Sequence, residues 1–209
     1  MWNETRSDTA KNNAAGVRQE SPLVGVAELF NAQAARVAGL FSLRERAFCD
    51  LVNVRGDLHD PAFVDGVAQA TGVRLPGQPN TVARGAEYDA LWLGPDEWLV
   101  RSLEPRSALL ETRLTAALAG QFAAAVDVGS GYTVLEARGA RVRDVLARGC
   151  PLDLHPRLFA QGQCAQSHYF KASIVLVPVE RDAYEIVVRR SFADYFCRMM
   201  LDAALPLVS

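Results

Sequence analysis

Histidines are the first candidates for chemistry in this chain of 209 residues. The three are His59, His155 and His168, and none stands in a G-x-S-x-G or H-E-x-x-H motif. Those motifs would place an imidazole beside a nucleophile or a zinc ion. We therefore expect no catalytic histidine, and we expect His155, held between Leu154 and Pro156, to fix its loop by hydrogen bonding.

Cysteines are the second candidates, because a thiolate can bind zinc or attack a substrate. None of the four belongs to a C-x-x-C pair, and they are spread over the chain as Cys49, Cys150, Cys164 and Cys197. Cys150 and Cys164 with the two histidines near them could make four zinc ligands, but known zinc sites contain at least one close cysteine pair. We expect four buried thiols and no metal.

A glycine-rich turn, Gly129-Ser130-Gly131, follows a strand-like segment and could in principle cradle a phosphate. A phosphate loop of this kind opens a helix, whereas the residues after Gly131 continue as a strand, and neither G-x-G-x-x-G nor G-x-x-x-x-G-K-[ST] occurs. The sequence instead predicts a hairpin bend between strands at 123–128 and 132–137.

Two charged pairs stand at the ends of predicted strands. Asp96 and Glu97 lie on a turn, where carboxylates are ordinarily solvated or accept from backbone N–H groups. Arg189 and Arg190 precede the last helix, where they could hold an anionic ligand or a partner's carboxylate or could simply be solvated. Neither pair by itself defines an active site.

Two tryptophans flank the turn that carries the acidic pair. Leu91–Leu93 and Trp98–Val100 are strand-like, and Gly94-Pro95-Asp96-Glu97 supplies turn residues, so the segment predicts a tight hairpin. The two indoles suit either a corner of the core or an interface, and burial habits favour the core.

Composition excludes some functions. With a formal net charge of -2 and a hydrophobic fraction of 50%, the chain has no basic field for nucleic acid and enough apolar residues for a core. No apolar run approaches the roughly 18 residues that a membrane-spanning helix needs, and Met1–Glu20 lacks the apolar centre of a secretory signal. We expect a cytoplasmic protein that binds neither nucleic acid nor membrane.

Helix and strand signals divide the chain into two halves. The polar tail at 1–21 is expected to be disordered. In the first half, 22–120, the patterns predict a helix at 23–37, a strand at 47–54 and a helix at 61–71 between Asp60-Pro61 and Gly72. They then predict strands at 81–83, 91–93 and 98–100 and a helix at 105–118. The second half (121–209) predicts the hairpin above, helix 140–148, strands 163–170, 172–179 and 183–189, and a helix begun by a capping box at Ser191 and Asp194. The fold class is α+β, two antiparallel-sheet subdomains with packed helices.

Several long strings resemble one family in the same order along the chain. They are Leu43–Arg46, Asn53–Asp57, Pro79–Val82, Trp92–Leu99, Asp127–Val128, Gly131–Leu135, Gly149–Pro156, Gly162–Gln166 and Val188–Tyr195. Over about residues 21 to 205, the chain resembles the gamma subunit of heterotetrameric sarcosine oxidase.

This resemblance implies a subunit of a four-chain complex that oxidatively demethylates sarcosine to glycine, with tetrahydrofolate accepting the one-carbon unit and hydrogen peroxide formed from oxygen. It implies that FAD, FMN and NAD belong to partner subunits, that this chain holds no cofactor, and that it packs on the alpha subunit beside beta and delta. The family is also similar in fold to the folate-binding part of aminomethyltransferase, with its strand-borne catalytic aspartate.

That aspartate would fall near Lys171–Val177 in this chain, and the segment has no carboxylate. A shift of a few residues would bring in Glu180 or Asp182. Because an apolar strand cannot deprotonate a folate nitrogen, we expect a noncatalytic subunit. A gamma subunit of an N-methylglutamate dehydrogenase complex and a freestanding folate-binding protein are the alternatives.

A subunit interface should combine aromatic, apolar and arginine side chains. The residues expected to form the partner interface are Trp92, Asp96, Glu97, Trp98, Asp153, His155, Arg189 and Arg190.

Overall fold

A computed structural model describes residues 10–12, 18–26, 28, 32, 37, 39–105 and 109–207. The strands are β1 (Ala10–Asn12), β2 (Arg18–Glu20), β3 (Ser42–Arg46), β4 (Cys49–Arg55), β5 (Val82–Arg84), β6 (Tyr88–Gly94), β7 (Glu97–Pro105), β8 (Ala124–Asp127), β9 (Tyr132–Arg138), β10 (Ala165–Tyr169), β11 (Ala172–Glu180) and β12 (Ala183–Arg189). The α-helices are α1 (Pro61–Thr71), α2 (Leu110–Ala117), α3 (Val142–Ala147) and α4 (Arg190–Ala204), and 3-10 turns span Val24–Val26 and Leu205–Leu207.

The described residues divide into two compact units, each around one five-stranded sheet. We call Phe48–Ser130 with Gly162–Ala165 the hairpin unit, and Met1–Ala47 with Gly131–Gln161 and Gln166–Ser209 the terminal unit. The fold class predicted from sequence, α+β with antiparallel sheets and packed helices, is confirmed.

In the hairpin unit the strand order is β5-β6-β7-β4-β8. α1 and α2 pack against this sheet, because their apolar stripes match the apolar side of the strands. The core side chains shared by these elements include Val54, Phe63, Val67, Trp98 and Leu114, each at most 1% exposed. Gly162–Ala165 joins this unit because the Gly162 carbonyl accepts from the backbone N–H of Val82 at 2.8 Å and the backbone N–H of Cys164 donates to the carbonyl of Asn80 at 2.9 Å.

α1 begins and ends where its local sequence predicts. The Asp60 carboxylate accepts from the backbone N–H of Ala62 at 2.9 Å, and Pro61 occupies the first turn, where no N–H is needed. Gly72 has φ 74° and donates its N–H to Ala68. A left-handed residue at this position favours glycine.

In the terminal unit the order is β10-β11-β12-β9-β3, so β12 is central. Ile186 pairs with Leu176 on one side and Leu135 on the other, and all three are fully buried. The strands predicted at 172–179 and 183–189 are present as β11 and β12, and they pair across the Glu180-Arg181-Asp182 turn.

The predicted hairpin of residues 123–128 with 132–137 is wrong. β8 pairs with β4 in the hairpin unit, while β9 pairs with β12 and β3 in the terminal unit. Gly129-Ser130-Gly131 is therefore one of the points at which the chain passes from one unit to the other. Local turn residues cannot distinguish a reversal from such a crossing, because both need the same backbone freedom.

The division of the chain differs from the predicted boundary between residues 120 and 121. β8 belongs with the earlier strands, and β3, which was not predicted, belongs with the later ones by pairing with β9. β3 was missed because its sequence, Ser-Leu-Arg-Glu-Arg, has only one strongly apolar residue.

Smaller differences concern the termini of elements. β7 continues through Pro105, and α2 begins at Leu110 rather than near 105. The capping box predicted at Ser191 and Asp194 does not form, since α4 has no side-chain cap and Asp194 pairs with Arg198 one turn later at 3.0 Å. In the tail predicted to be disordered, β1 and β2 pair, and most of the helix predicted at 23–37 lies outside the described residues.

Candidate partner-binding surface

Trp98 belongs to the core. Its side chain is 0% exposed, its ring centroid lies 5.9 Å from that of Phe63, and its indole N–H donates to the carbonyl of Pro76 at 2.9 Å. A side chain with no exposed area cannot contact a partner on the surface. The sequence allowed either a corner of the core or an interface, and for Trp98 the structure shows the core. Trp98 is therefore no longer a candidate interface residue.

Trp92 stands directly opposite Trp98 in the register of β6 and β7 and thus on the same face of the sheet. It is only partly buried, and it lines an open cleft of about 540 Å³. The cleft lies entirely within the hairpin unit and is lined by residues 56–59, Gly77, Pro79, Trp92, Pro95 and Asp96. This volume is in the usual range for ligand pockets, roughly 300–1,000 Å³.

Two exposed carboxylates line the same cleft. The backbone N–H of Gly56 donates to the carbonyl of Asp96 at 3.2 Å, which joins the loop after β4 to the β6–β7 turn. Asp57 Oδ1 accepts from the backbone N–H of His59 at 2.8 Å and lies 2.9 Å from His59 Nδ1. The backbone hydrogen bond first, and then the ring contact, lower the pKa of Asp57 below its usual value, so this carboxylate is negatively charged at neutral pH.

Glu97 is held elsewhere. Its two oxygens accept from Asn53 and Arg55, each at 2.7 Å, across the β4–β7 pair. Glu97 does not line the cleft, so of the acidic pair only Asp96 remains available there.

The loop around His155 is exposed and internally bonded. Asp153 Oδ1 accepts from the backbone N–H of His155 at 2.9 Å, and His155 Nδ1 accepts from the backbone N–H of Arg157 at 3.2 Å. The prediction that His155 fixes its loop is confirmed.

The arginine pair lies at the junction of β12 and α4, as predicted, with Arg189 ending the strand and Arg190 beginning the helix. Arg189 is exposed, with its guanidinium 5.3 Å from the centroid of the Tyr132 ring. Arg190 donates its backbone N–H to Gly131 at 3.0 Å and a side-chain N–H to the carbonyl of Glu20. Arg189 is therefore the more accessible of the two, since Arg190 is only partly exposed. The predicted interface residues are divided between the units, with Trp92, Asp96, Glu97 and Trp98 in the hairpin unit and the other four in the terminal unit.

The cysteines confirm the expectation of buried thiols, since all four are free and buried. Cys164 Sγ lies 3.4 Å from the carbonyl of Trp92, and burial raises the pKa of its thiol to about 11. Burial also raises the pKa of Cys197. Among the residues that the structure describes, no group of histidine, cysteine and carboxylate side chains could hold a metal ion.

β11 covers all but the first residue of Lys171–Val177, the segment near which the resemblance would put a catalytic aspartate. Its side chains at Ile174, Leu176 and Val177 are buried. The nearest carboxylates beyond them are engaged in ion pairs, Glu180 with Arg138 at 2.9 Å and Asp182 with Arg143 at 3.1 Å.

Sequence reasoning missed three features of the hairpin unit. Asp57 and His59 line the cleft, and the turn sequence Gly56-Asp57 at the end of β4 was their available signal. The third is a buried ion pair, Asp89 with Arg101 at 3.2 Å. Counting outward from the Gly94–Glu97 pair at the β6–β7 turn would have placed Ser102 opposite Asp89, because the register shift between Trp92 and Gly94 that brings Arg101 there has no local signal in the sequence.

The fold defines the class of protein. The fold is similar to that of the glycine cleavage system aminomethyltransferase T from Bartonella henselae, with a TM-score of 0.58 and 16% identity over 92% of this chain and 54% of that one. At this identity the likeness shows the fold alone.

The family follows from closer relatives. Residues 55–205 match the sarcosine oxidase, gamma subunit family. The sarcosine oxidase gamma subunits of Corynebacterium sp. (strain P-1) and Arthrobacter sp. are each 34% identical over 82% of this chain and 84% of their own length. A chain of the heterotetrameric sarcosine oxidase from Corynebacterium sp. U-96, solved with pyrrole 2-carboxylate, superposes with a TM-score of 0.83 at 30% identity, covering 91% of this chain and 97% of that one. The chain belongs to the sarcosine oxidase gamma subunit family.

A search of the described residues finds no helix that is both long and apolar enough to cross a membrane.

Proposed function

We propose that this chain is the noncatalytic gamma subunit of a heterotetrameric sarcosine oxidase and that it packs on the alpha subunit, in a complex with beta and delta. The observation that carries the proposal is the likeness to a chain of a heterotetrameric sarcosine oxidase over nearly the whole of both chains. A subunit that matches in length as well as fold supports an equivalent place in the assembly.

The reaction proposed for the complex is the oxidative demethylation of sarcosine to glycine. Tetrahydrofolate accepts the one-carbon unit and oxygen is reduced to hydrogen peroxide. FAD, FMN and NAD are assigned to the partner subunits, and no cofactor is assigned to this chain. The role of the chain is then structural, through the stability or geometry that it lends to the complex.

The state of the carboxylates near β11 supports a noncatalytic role. A general base for folate chemistry must be able to take up a proton from its substrate. Glu180 and Asp182 each have one oxygen engaged by an arginine, Arg138 and Arg143 respectively, so neither carboxylate is presented freely to a substrate. The buried free cysteines fit the proposed cytoplasmic location, where thiols stay reduced.

Affinity purification of the tagged chain from its native cell tests the proposal. Co-purified flavin-bearing chains and hydrogen peroxide formation that depends on sarcosine are expected. Activity with N-methylglutamate in place of sarcosine would assign the chain to the alternative complex. A chain recovered alone and colourless, which binds tetrahydrofolate in calorimetry, would overturn the subunit role in favour of a freestanding folate-binding protein.

A further inference from the structure

We propose that the Trp92 cleft of the hairpin unit receives an arginine side chain of a partner subunit. This inference rests on the proposed function, because it assumes that the chain is assembled with other subunits. It adds the location of a contact on this chain and the chemistry of the side chain that fits there.

The wall of the cleft provides an aromatic surface. Trp92 is partly buried, and no described residue accepts a hydrogen bond from its indole N–H, whereas the indole of Trp98 is satisfied by Pro76. Leu58, Pro79 and Pro95 complete the apolar lining. Exposed tryptophan faces attract cations, and the planar guanidinium of arginine stacks on them better than the compact ammonium of lysine.

The charge of the lining selects a cation. Asp57 and Asp96 are both exposed carboxylates in the cleft, and its lining contains no lysine or arginine. Arg55, the nearest arginine in sequence to Asp57, is already paired with Glu97 at 2.7 Å. Asp57 uses only Oδ1 in the contacts with His59, so its second oxygen is open to a further donor. An arginine could stack on the indole and donate to one or both carboxylates.

Amide substitution of both carboxylates tests the charge requirement in the assembled complex. Asp57→Asn with Asp96→Asn retains side-chain shape, and the amide oxygen introduced at position 57 could still accept from the His59 N–H, so the loop should persist. The complex is purified with this variant, diluted, and its intact fraction measured by mass photometry at low and high salt. At low salt, we expect the protein concentration at which half of the complex is dissociated to rise on the order of tenfold in the variant. That concentration should also depend less on salt in the variant than in the wild type.

A matched control removes two negative charges from the same unit outside the cleft, by Asp65→Asn with Glu111→Gln. The control should dissociate within about twofold of the wild type, since neither side chain lines the cleft and the exposed ion pair of Asp65 with Arg74 contributes little. A cleft variant that dissociates like the control would overturn the inference. The proposed function would survive that result, because the wild-type complex would still be present, whereas failure of the wild type to assemble would count against the proposed function itself.

A second measurement does not depend on the stability of the carboxylate variants. A photo-crosslinking amino acid in place of His59, which lines the cleft and is 95% exposed in its side chain, is activated in the intact complex. Mass spectrometry should identify a partner peptide that contains arginine. A crosslinked peptide without arginine, or the absence of any crosslink in an intact complex, would contradict the inference.

Discussion

Trp92 and Trp98 show how one residue type takes two roles on the same hairpin. They are paired across β6 and β7, yet Trp98 is enclosed beneath α1 residues such as Phe63, while Trp92 lies where the core opens into the cleft. The two indole N–H groups differ accordingly, since that of Trp98 donates to the carbonyl of Pro76 and that of Trp92 has no acceptor among the described residues. A tryptophan with a satisfied N–H can be fully buried without leaving a polar group unpaired.

Replacing Trp98 with phenylalanine tests the core role. The variant leaves the carbonyl of Pro76 without its donor and opens space beside Phe63. We expect the free energy of unfolding to fall by about 2–4 kcal/mol in urea denaturation. Trp92→Phe is the control, with a smaller loss because its side chain is partly exposed. Equal losses for the two variants would mean that Trp98 has no special place in the core.

The thiol of Cys164 predicts a dependence of stability on alkaline pH. Burial raises its pKa from 9.0 to about 11, so between these values the unfolded chain loses the proton while the folded chain keeps it. The folded state is therefore favoured fully below pH 9 and loses that advantage as pH rises toward 11. Cys164→Ala should show a smaller drop in unfolding free energy between pH 8.5 and 10.5 than the wild type, by roughly 1–2 kcal/mol. Identical drops would show that another group is responsible.

At the scale of elements, helices and turns begin and end at residues whose backbone conformation or capping favours a boundary. α1 is limited by Asp60 and by the left-handed Gly72, and the β6–β7 turn is limited by Pro95 and Asp96. The turn between β9 and α3 has a stricter requirement at Gly139. Its φ is 130°, and an added Cβ would lie 2.3 Å from the carbonyl oxygen of Leu40. Only glycine fits this backbone conformation without strain.

Gly139→Ala should therefore destabilise the protein by about 1–3 kcal/mol, because both the positive φ and the close carbonyl disfavour a side chain. Thermal unfolding checks this value. Gly25→Ala is the matched control, since Gly25 has no positive φ and no atom within 4 Å of an added Cβ. A Gly139→Ala protein as stable as the control would show that the junction can rearrange.

At the scale of the whole molecule, the two units are interleaved in sequence. β3 lies early in the chain but completes the later sheet, and β8 follows α2 but completes the earlier one. If the chain were divided near residue 120, each sheet would therefore lose one strand to the other fragment.

Fragments 22–120 and 121–209 should for this reason fail to fold on their own. Each would lack an edge strand and would expose the backbone groups of its neighbour, β4 in the first fragment and β9 in the second. Circular dichroism during urea denaturation should show no cooperative transition for either fragment, in contrast to the intact chain. A cooperative transition for 121–209 alone would show that β3 is dispensable.

The sequence by itself determined the α+β class, most helices and strands, the turn between the tryptophans, the buried thiols and the family resemblance. These depend on local patterns, such as apolar periodicity, caps and turn residues, or on long strings of residues in order. The predicted interface set wrongly included Trp98, which is buried, because residue type does not reveal whether an indole faces the core or the surface.

Only the tertiary structure decided which strands pair across long stretches of chain. The Gly129-Ser130-Gly131 segment permits a hairpin, yet β8 and β9 do not pair with each other there, because they belong to different sheets. Tertiary packing also placed Trp98 inside, and it brought the Gly56–His59 loop beside the β6–β7 turn to form the cleft. Contacts between residues distant in sequence depend on which apolar faces meet, and no local pattern contains that information.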